Sequence, residues 1–171
     1  MRTLVVYSSL TGNTKKVGEA IASGLPAGTE AVSIKEVPAD LADYDCVFIG
    51  FWVDRGTADK ATAELLPRLM NKHVALFATL GANPKSPHAA ESLDKAAALL
   101  PEGKMPIARF ICQGAVDPKV IEMMYKQFPK GHLHGQSPER DALHAQAATH
   151  PDEADLTAAK KFAEETMAKI S

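Results

Sequence analysis

The stretch that most constrains this chain lies near its amino end, where an apolar run gives way to a polar loop and then to an amphipathic segment. Residues 4–7 read Leu-Val-Val-Tyr, and the following loop is rich in hydroxyl side chains and contains one glycine, Gly12. Val17, Ile21 and Leu25 then recur at helical spacing. This order predicts a strand, a tight loop and a helix in direct succession.

Such a loop is expected to bind a phosphate group. The first N–H groups of a helix lack partners and lie at the positive end of its dipole. Ser9, Thr11 and Thr14 add hydroxyl donors, and Gly12 allows a close approach of the backbone. The loop has no basic residue before Lys15 and no triphosphate or dinucleotide motif, so a lone terminal phosphate fits it better. The alternative is an ordinary helix capped by Thr11 or Ser9.

The rest of the chain alternates predicted strands and helices. Strands are predicted at 31–34, 46–51, 74–79 and 107–112, and helices at 58–70, 86–100 and 152–170. Alternation of this kind predicts a parallel sheet with helices on both faces. Ligands bind such sheets beyond the carboxyl ends of the strands, so the loops that follow the strands are the candidate binding segments.

Composition restricts the classes of protein to which the chain can belong. With 171 residues, 46% of them hydrophobic, it is expected to form one domain over 1–171. No apolar stretch approaches the ~20 residues of a membrane span, which favours a cytoplasmic protein. A formal charge of −2 predicts neither a nucleic-acid nor a membrane partner. Cys46 and Cys112 fall in predicted strands, as buried thiols do.

The loop sequence Ser9-Leu10-Thr11-Gly12-Asn13-Thr14 resembles the phosphate-binding signature of flavodoxins, in which a hydroxyl residue precedes x-Thr-Gly-x-Thr. The resemblance implies that these six residues hold the phosphate of flavin mononucleotide (FMN). It also implies a three-layer α/β sandwich with a five-stranded parallel sheet of order 2-1-3-4-5. The likeness is clear over residues 2–115 and thin over 116–150.

Two further loops resemble the segments that contact the flavin ring in this family. The first contains Phe51, Trp52, Val53, Asp54, Arg55 and Gly56, and the second contains Thr79, Leu80, Gly81 and Ala82. Trp52 is the only tryptophan and stands where flavodoxins place an aromatic ring against the flavin. A core tryptophan is the alternative. Residues 54–56 correspond to the backbone that rearranges near flavin N5, or else form a plain surface turn.

Two departures from the family pattern leave the function open. The second loop has no aromatic residue to cover the outer flavin face, and His88 fits the following helix better than the loop. The chain is nearly neutral where electron-carrier flavodoxins are usually acidic, and Arg55 and Lys85 lie on the predicted flavin side. Both departures leave room for a substrate or partner to approach an uncovered flavin.

The first functional hypothesis is an electron carrier that passes electrons to a partner reductase, as a monomer or weak dimer. It is favoured because no catalytic acid–base pair is evident among the site residues. The alternative is an FMN-dependent oxidoreductase, or an accessory subunit, acting on a planar substrate such as a quinone or bilirubin. The chain resembles short bacterial flavodoxin-like proteins, some of which are associated with bilirubin reductases. A flavodoxin fold without cofactor is a third hypothesis, disfavoured by the intact phosphate motif.

The segment 128–151 contains four histidines, namely His132, His134, His144 and His150. They follow no recognised metal-ligand spacing, so no metal site is predicted. Ser137-Pro138-Glu139 predicts a helix start, with a cap, a proline and an early acid. The segment is interpreted as an insertion before the last helix, near the flavin rim or a partner surface.

Overall fold

The computed structural model describes residues 1–171 and contains six strands and six α-helices. The strands are β1 Thr3–Tyr7, β2 Ala31–Ser33, β3 Cys46–Asp54, β4 Thr57–Ala58, β5 His73–Leu80 and β6 Ala108–Gln113. The helices are α1 Asn13–Ser23, α2 Lys60–Leu65, α3 Pro87–Ala97, α4 Pro118–Gln127, α5 Pro138–Ala147 and α6 Glu153–Ile170. Short 3₁₀ segments cover Ile34–Glu36 and Leu66–Arg68.

Five parallel strands form the sheet in the order β2-β1-β3-β5-β6. Numbered along the chain without β4, this is the predicted order 2-1-3-4-5, so the predicted fold class is confirmed. The short strand β4 was not predicted. It pairs antiparallel with the end of β3, joining Val53 to Ala58 and Asp54 to Thr57.

Helices cover both faces of the sheet because the central strands are apolar on both sides. On one face, Val17 and Ile21 of α1 and Ala159 of α6 pack with Phe48 and Phe77. On the other face, α2 and α3 pack against alternate residues of the same strands, a cluster that includes Ile49, Phe51, Leu65, Leu76 and Leu93. The side chains of β3 therefore alternate between the α1–α6 face and the α2–α3 face.

The helix predicted at 58–70 is shorter and begins later than its apolar pattern suggested. Asp59 caps α2, and Thr57–Ala58 belong to β4 instead of to the helix. Pro67 lies in the 3₁₀ segment that ends the helix, since proline removes a backbone N–H and clashes with the preceding turn. The last helix, α6, matches its predicted range closely.

The segment 116–150 forms two helices. The start of α5 at Pro138, with Ser137 as its cap, is confirmed. Helix α4 was not predicted, although Asp117 caps it and Pro118 begins it. None of its residues is buried. Across the whole chain, no helix combines the length and the apolar character that a membrane crossing requires.

Candidate cofactor site

The loop between β1 and α1 exposes a row of unpaired backbone donors. Gly12 precedes the helix with φ 99°, a left-handed conformation that favours glycine, and no side chain caps α1. The N–H groups of Thr11, Asn13, Thr14 and Lys15 donate no hydrogen bond within the protein. The space beside Gly12 is open, with no atom within 4 Å of where a Cβ would lie. Neither Ser9 nor Thr11 caps α1, as the alternative required, and the loop leaves these N–H groups without an acceptor in the protein.

Both ends of this loop are anchored to other elements. The Asn13 side-chain amide donates to the Ala115 carbonyl at 2.9 Å, and the hydroxyls of Thr14 and Thr79 lie 2.9 Å apart. The N–H of Gly12 donates to the Ser9 hydroxyl at 3.0 Å. Thr14 is buried and its hydroxyl helps to anchor the loop, with either threonine able to donate in this contact, so the prediction of a Thr14 hydroxyl donor to a phosphate stays a prediction. Its backbone N–H remains available.

The predicted loop after the third strand is a β-hairpin. Strand β3 continues to Asp54, and β4 returns at Thr57, so only Arg55 and Gly56 form the turn. Their φ angles are 52° and 81°, and two positive φ values in succession are typical of the tight turns that match strand twist. The sequence did not predict the hairpin because an arginine rarely occupies the first of these positions.

The hairpin separates the predicted flavin-contacting residues onto two faces. Trp52 pairs in register with Thr79, whose hydroxyl contacts Thr14, so the half-buried indole lies on the α1 face beside the phosphate loop. Phe51 points to the other face and is fully buried in the α2–α3 cluster. Its ring belongs to the core, and its assignment as a cofactor-binding residue stays a prediction. Val53 packs partly against the same cluster.

Helix α3 lies against the tip of the hairpin. A Cβ on Gly56 would lie 3.5 Å from His88 Cε1 and 3.8 Å from Lys95 Nζ. His88 belongs to α3, as the sequence indicated, and its ring nevertheless reaches the turn. Three exposed side chains that are cationic or ionisable therefore lie at the hairpin tip, near the partly exposed Asp54. They are Arg55, His88 and Lys95.

The second predicted flavin loop is shorter than expected. Thr79 and Leu80 belong to β5 and are buried, while Gly81 and Ala82 are half-buried in the loop that follows. A Cβ on Gly81 would collide with the Val116 side chain. Close packing against Val116 is one reason for a glycine at this position, and the close approach of a flavin there stays a prediction.

Sequence reasoning missed the hydrogen bonds of the buried polar side chains at this edge. Ser8 donates a 2.6 Å hydrogen bond from its hydroxyl to the Asp59 carboxylate, and Asp59 also accepts from the Thr62 hydroxyl at 2.9 Å. Gln113 donates to the Gly81 carbonyl at 3.2 Å. Only the capping position of Asp59 before α2 had a local signal, because the other partners are distant in sequence.

Two thiols and one cluster of ionisable groups away from the site have structural explanations. Cys46 and Cys112 are buried and unpaired, and burial raises the pKa of each thiol to about 12. His150 lies 2.6 Å from the Asp155 carboxylate. Asp155 and Asp152 form a reciprocal capping box at the start of α6, and the hydrogen bond from the Asp155 N–H lowers the pKa of Asp152.

Comparisons with known proteins agree with the fold and the loop motif. A family model described as a flavodoxin domain matches residues 4–164. The chain is 34% identical over 180 residues to the flavodoxin-like domain-containing protein BilS of Clostridioides difficile (strain CD3), covering 100% of this chain and 99% of that protein. It is 31% identical to BilS of Clostridium symbiosum (strain WAL-14163), covering 95% of this chain and 94% of that protein.

A solved structure shares the fold over the whole chain. It is a short-chain flavodoxin associated with a non-canonical PDU bacterial microcompartment, with a TM-score of 0.64, 16% identity and 100% of both chains covered. Likeness at this identity supports the architecture, whereas the family model and the BilS relatives establish the membership. The chain belongs to the flavodoxin family, the FMN-binding electron-transfer flavoproteins that its phosphate-loop motif predicts.

Proposed function

We propose that FMN binds between the phosphate loop and the β3–β4 hairpin, and that the protein carries electrons to a partner reductase. One observation carries the proposal. Four backbone N–H groups, those of Thr11, Asn13, Thr14 and Lys15, converge on the start of α1 without an acceptor in the protein. The first N–H groups of a helix have no partner within it and lie at the positive end of its dipole, so this cluster fits a ligand that supplies several acceptor oxygens.

At the phosphate end, the donor set suits a terminal phosphate. The backbone N–H groups and the hydroxyls of Ser9 and Thr11 donate, and no side chain of the loop from Ser9 to Thr14 brings a positive charge. A phosphate monoester accepts several hydrogen bonds and carries about two negative charges, and the helix dipole favours that charge. The anchoring of Asn13 and Thr14 holds the cradle in shape before the ligand binds.

At the ring end, Trp52 provides a flat apolar surface on the same face of the sheet as the phosphate loop. Stacking of a flavin on this indole would exclude water from one side of the ring system. Arg55 and Gly56 form the turn that closes this end, and residues 79–82 form the opposite rim. Bound FMN supplies the capacity to exchange electrons one or two at a time.

The surroundings of the site favour a carrier over a stand-alone enzyme. Asp54 and His88 are the acid–base candidates nearest the turn, and neither side chain makes a hydrogen bond that would orient it. General acid–base catalysis needs a group held at the reacting atom by a partner. Electron transfer to a partner reductase requires only an accessible cofactor edge and a docking surface.

One observation favours the second candidate, an oxidoreductase or accessory subunit acting on a planar substrate. The loop at 81–86 contains no aromatic side chain, so nothing in this rim covers the second flavin face. The cationic groups at the hairpin tip would also favour an anionic or carboxylate-bearing molecule there. A quinone or a bilirubin-like tetrapyrrole belongs to the class of planar molecules that could stack on an open flavin.

The binding test uses the sole tryptophan. Titration of apoprotein with FMN should quench Trp52 fluorescence with saturation at one equivalent, because the flavin would lie against the indole. Absence of FMN uptake would contradict the proposal.

The carrier test uses the FMN-loaded protein with NADH or NADPH and a soluble quinone. Slow oxidation of the nicotinamide, no faster than with free FMN, supports the carrier. Rapid steady-state turnover without a second protein would favour the enzyme.

A further inference from the structure

A buried carboxylate lies where the two halves of the site meet. Asp59 is 3% exposed and makes no ion pair with a basic side chain. It follows β4 directly, so only Thr57 and Ala58 separate it from the Arg55–Gly56 turn. Burial of an unpaired carboxylate is costly unless hydrogen bonds compensate it. The hydrogen bonds of Asp59 therefore identify what holds it there.

Two kinds of donor satisfy Asp59. The Thr62 hydroxyl and N–H, at 2.9 and 3.4 Å, are the usual donors to a residue that caps a helix. The third donor, the Ser8 hydroxyl at 2.6 Å, comes from 51 residues earlier in the chain and plays no part in capping α2. This contact is short and buried, and such charge-assisted bonds are stronger than neutral ones.

Ser8 is the residue before the phosphate loop, and it is held in two directions. Its N–H donates to the Gly50 carbonyl of β3 at 2.9 Å, and its hydroxyl donates to Asp59. The first bond continues the pairing of β1 with β3. The second ties the first residue of the loop region to the chain that returns from the hairpin.

We propose that Ser8 and Asp59 are positioning residues, whose hydrogen bond sets the phosphate loop at the distance from the hairpin that one FMN molecule spans. The inference rests on the proposed function. The Ser8 hydroxyl donates its hydrogen bond to the Asp59 carboxylate, so it does not donate to the phosphate itself. The hydrogen bond between Ser8 and Asp59 affects the ligand by fixing where residues 9–14 lie relative to residues 53–58.

The test compares FMN with riboflavin, which has the ring but no phosphate. Ser8→Ala removes the bond to Asp59 and should weaken FMN binding about tenfold, the effect of one hydrogen bond to a charged group. Riboflavin affinity should change by less than about twofold, because riboflavin does not need both ends of the site. Quenching of Trp52 fluorescence measures both dissociation constants, and urea unfolding reports stability in parallel.

Two variants separate positioning from simple stabilisation. Thr62→Val removes the other hydroxyl bound to Asp59 while leaving Ser8 in place, so it should lower stability without changing the FMN-to-riboflavin affinity ratio. Asp59→Asn should keep most of the wild-type preference for FMN over riboflavin. The asparagine side-chain N–H can donate to the Ser8 hydroxyl, and its oxygen can accept from the Thr62 hydroxyl.

Each outcome decides the proposal. An FMN-to-riboflavin affinity ratio that falls in Ser8→Ala and stays at the wild-type value in Thr62→Val supports the proposal. A wild-type ratio in Ser8→Ala, or an equal fall in Thr62→Val, would overturn it while leaving FMN binding itself intact. A wild-type protein that does not prefer FMN to riboflavin would overturn the proposed function as well.

Discussion

The phosphate loop and the β3–β4 hairpin frame the same edge of the sheet, yet they are built differently. The phosphate loop offers backbone N–H groups and is anchored from both ends, through Ser8, Asn13 and Thr14. The hairpin offers side chains on a two-residue turn, with Trp52 on one face and the Arg55–Gly56 tip against α3. Backbone donors are the same whatever the side chains, whereas the hairpin depends on a few particular residues.

This difference predicts how each region responds to substitution. The phosphate loop should tolerate changes in side chains that do not anchor it. It should bind FMN more weakly when its anchoring side chains or its backbone shape are altered. The hairpin should respond mainly to the identity of its ring-facing and turn residues. The substitutions below separate the two regions, in order of decreasing expected effect.

Gly50→Ala should have the largest effect because β3 serves both regions. The Gly50 carbonyl accepts from Ser8, and a Cβ on Gly50 would collide with the Phe77 ring. Overpacking of this kind should lower the free energy of unfolding by about 3 kcal/mol, measured by urea denaturation. Adding Phe77→Leu should recover part of the loss. An unaltered stability of the single variant would show that the strand can shift freely.

Trp52→Ala tests the ring end. Loss of the indole should weaken flavin binding by about 2 kcal/mol, from lost apolar contact and stacking. FMN and riboflavin should lose equal amounts, because both carry the ring. Trp52→Phe should keep most of the affinity. Flavin absorbance or equilibrium dialysis measures binding here, since the fluorescent reporter is gone. A loss confined to FMN would place Trp52 at the phosphate end instead.

Thr14→Val tests an anchor of the phosphate loop. It leaves the buried Thr79 hydroxyl without its partner, which should lower the free energy of unfolding by about 1.5 kcal/mol. The double variant with Thr79→Val should be closer to wild type than the sum of the two single changes, because both polar groups are then gone. Strictly additive urea-denaturation effects would contradict the pairing.

Arg55→Asn should have the smallest effect and the opposite sign. Asparagine accepts a positive φ more readily than arginine, and an Asn-Gly pair suits this turn. Unfolding free energy should rise by about 0.5 kcal/mol. Arg55→Ala, which removes the same charge without the conformational benefit, is the control. Equal gains from both variants would assign the effect to charge and not to the turn.

The sequence predicted the parallel sheet and the strand–loop–helix turn at residues 3–23 well because both have local signals. Buried strands read as apolar runs, and Ser9 to Thr14 match a contiguous motif at a fixed place after the first strand. The bond between Ser8 and Asp59 could not be predicted in this way, since the partners are 51 residues apart. The hairpin was missed because Arg55 is an unusual turn residue. The burial of Phe51 could not be read from the sequence because it depends on the register of β3.

The affinity difference between FMN and riboflavin for the wild-type protein tests the central claim most directly. Several unpaired N–H groups at the start of α1 should each contribute to binding the phosphate. FMN should therefore bind at least about 30-fold more tightly than riboflavin, which corresponds to about 2 kcal/mol. Quenching of Trp52 fluorescence gives both dissociation constants in one assay. Equal affinity for the two flavins would contradict the claim that this loop is a phosphate site.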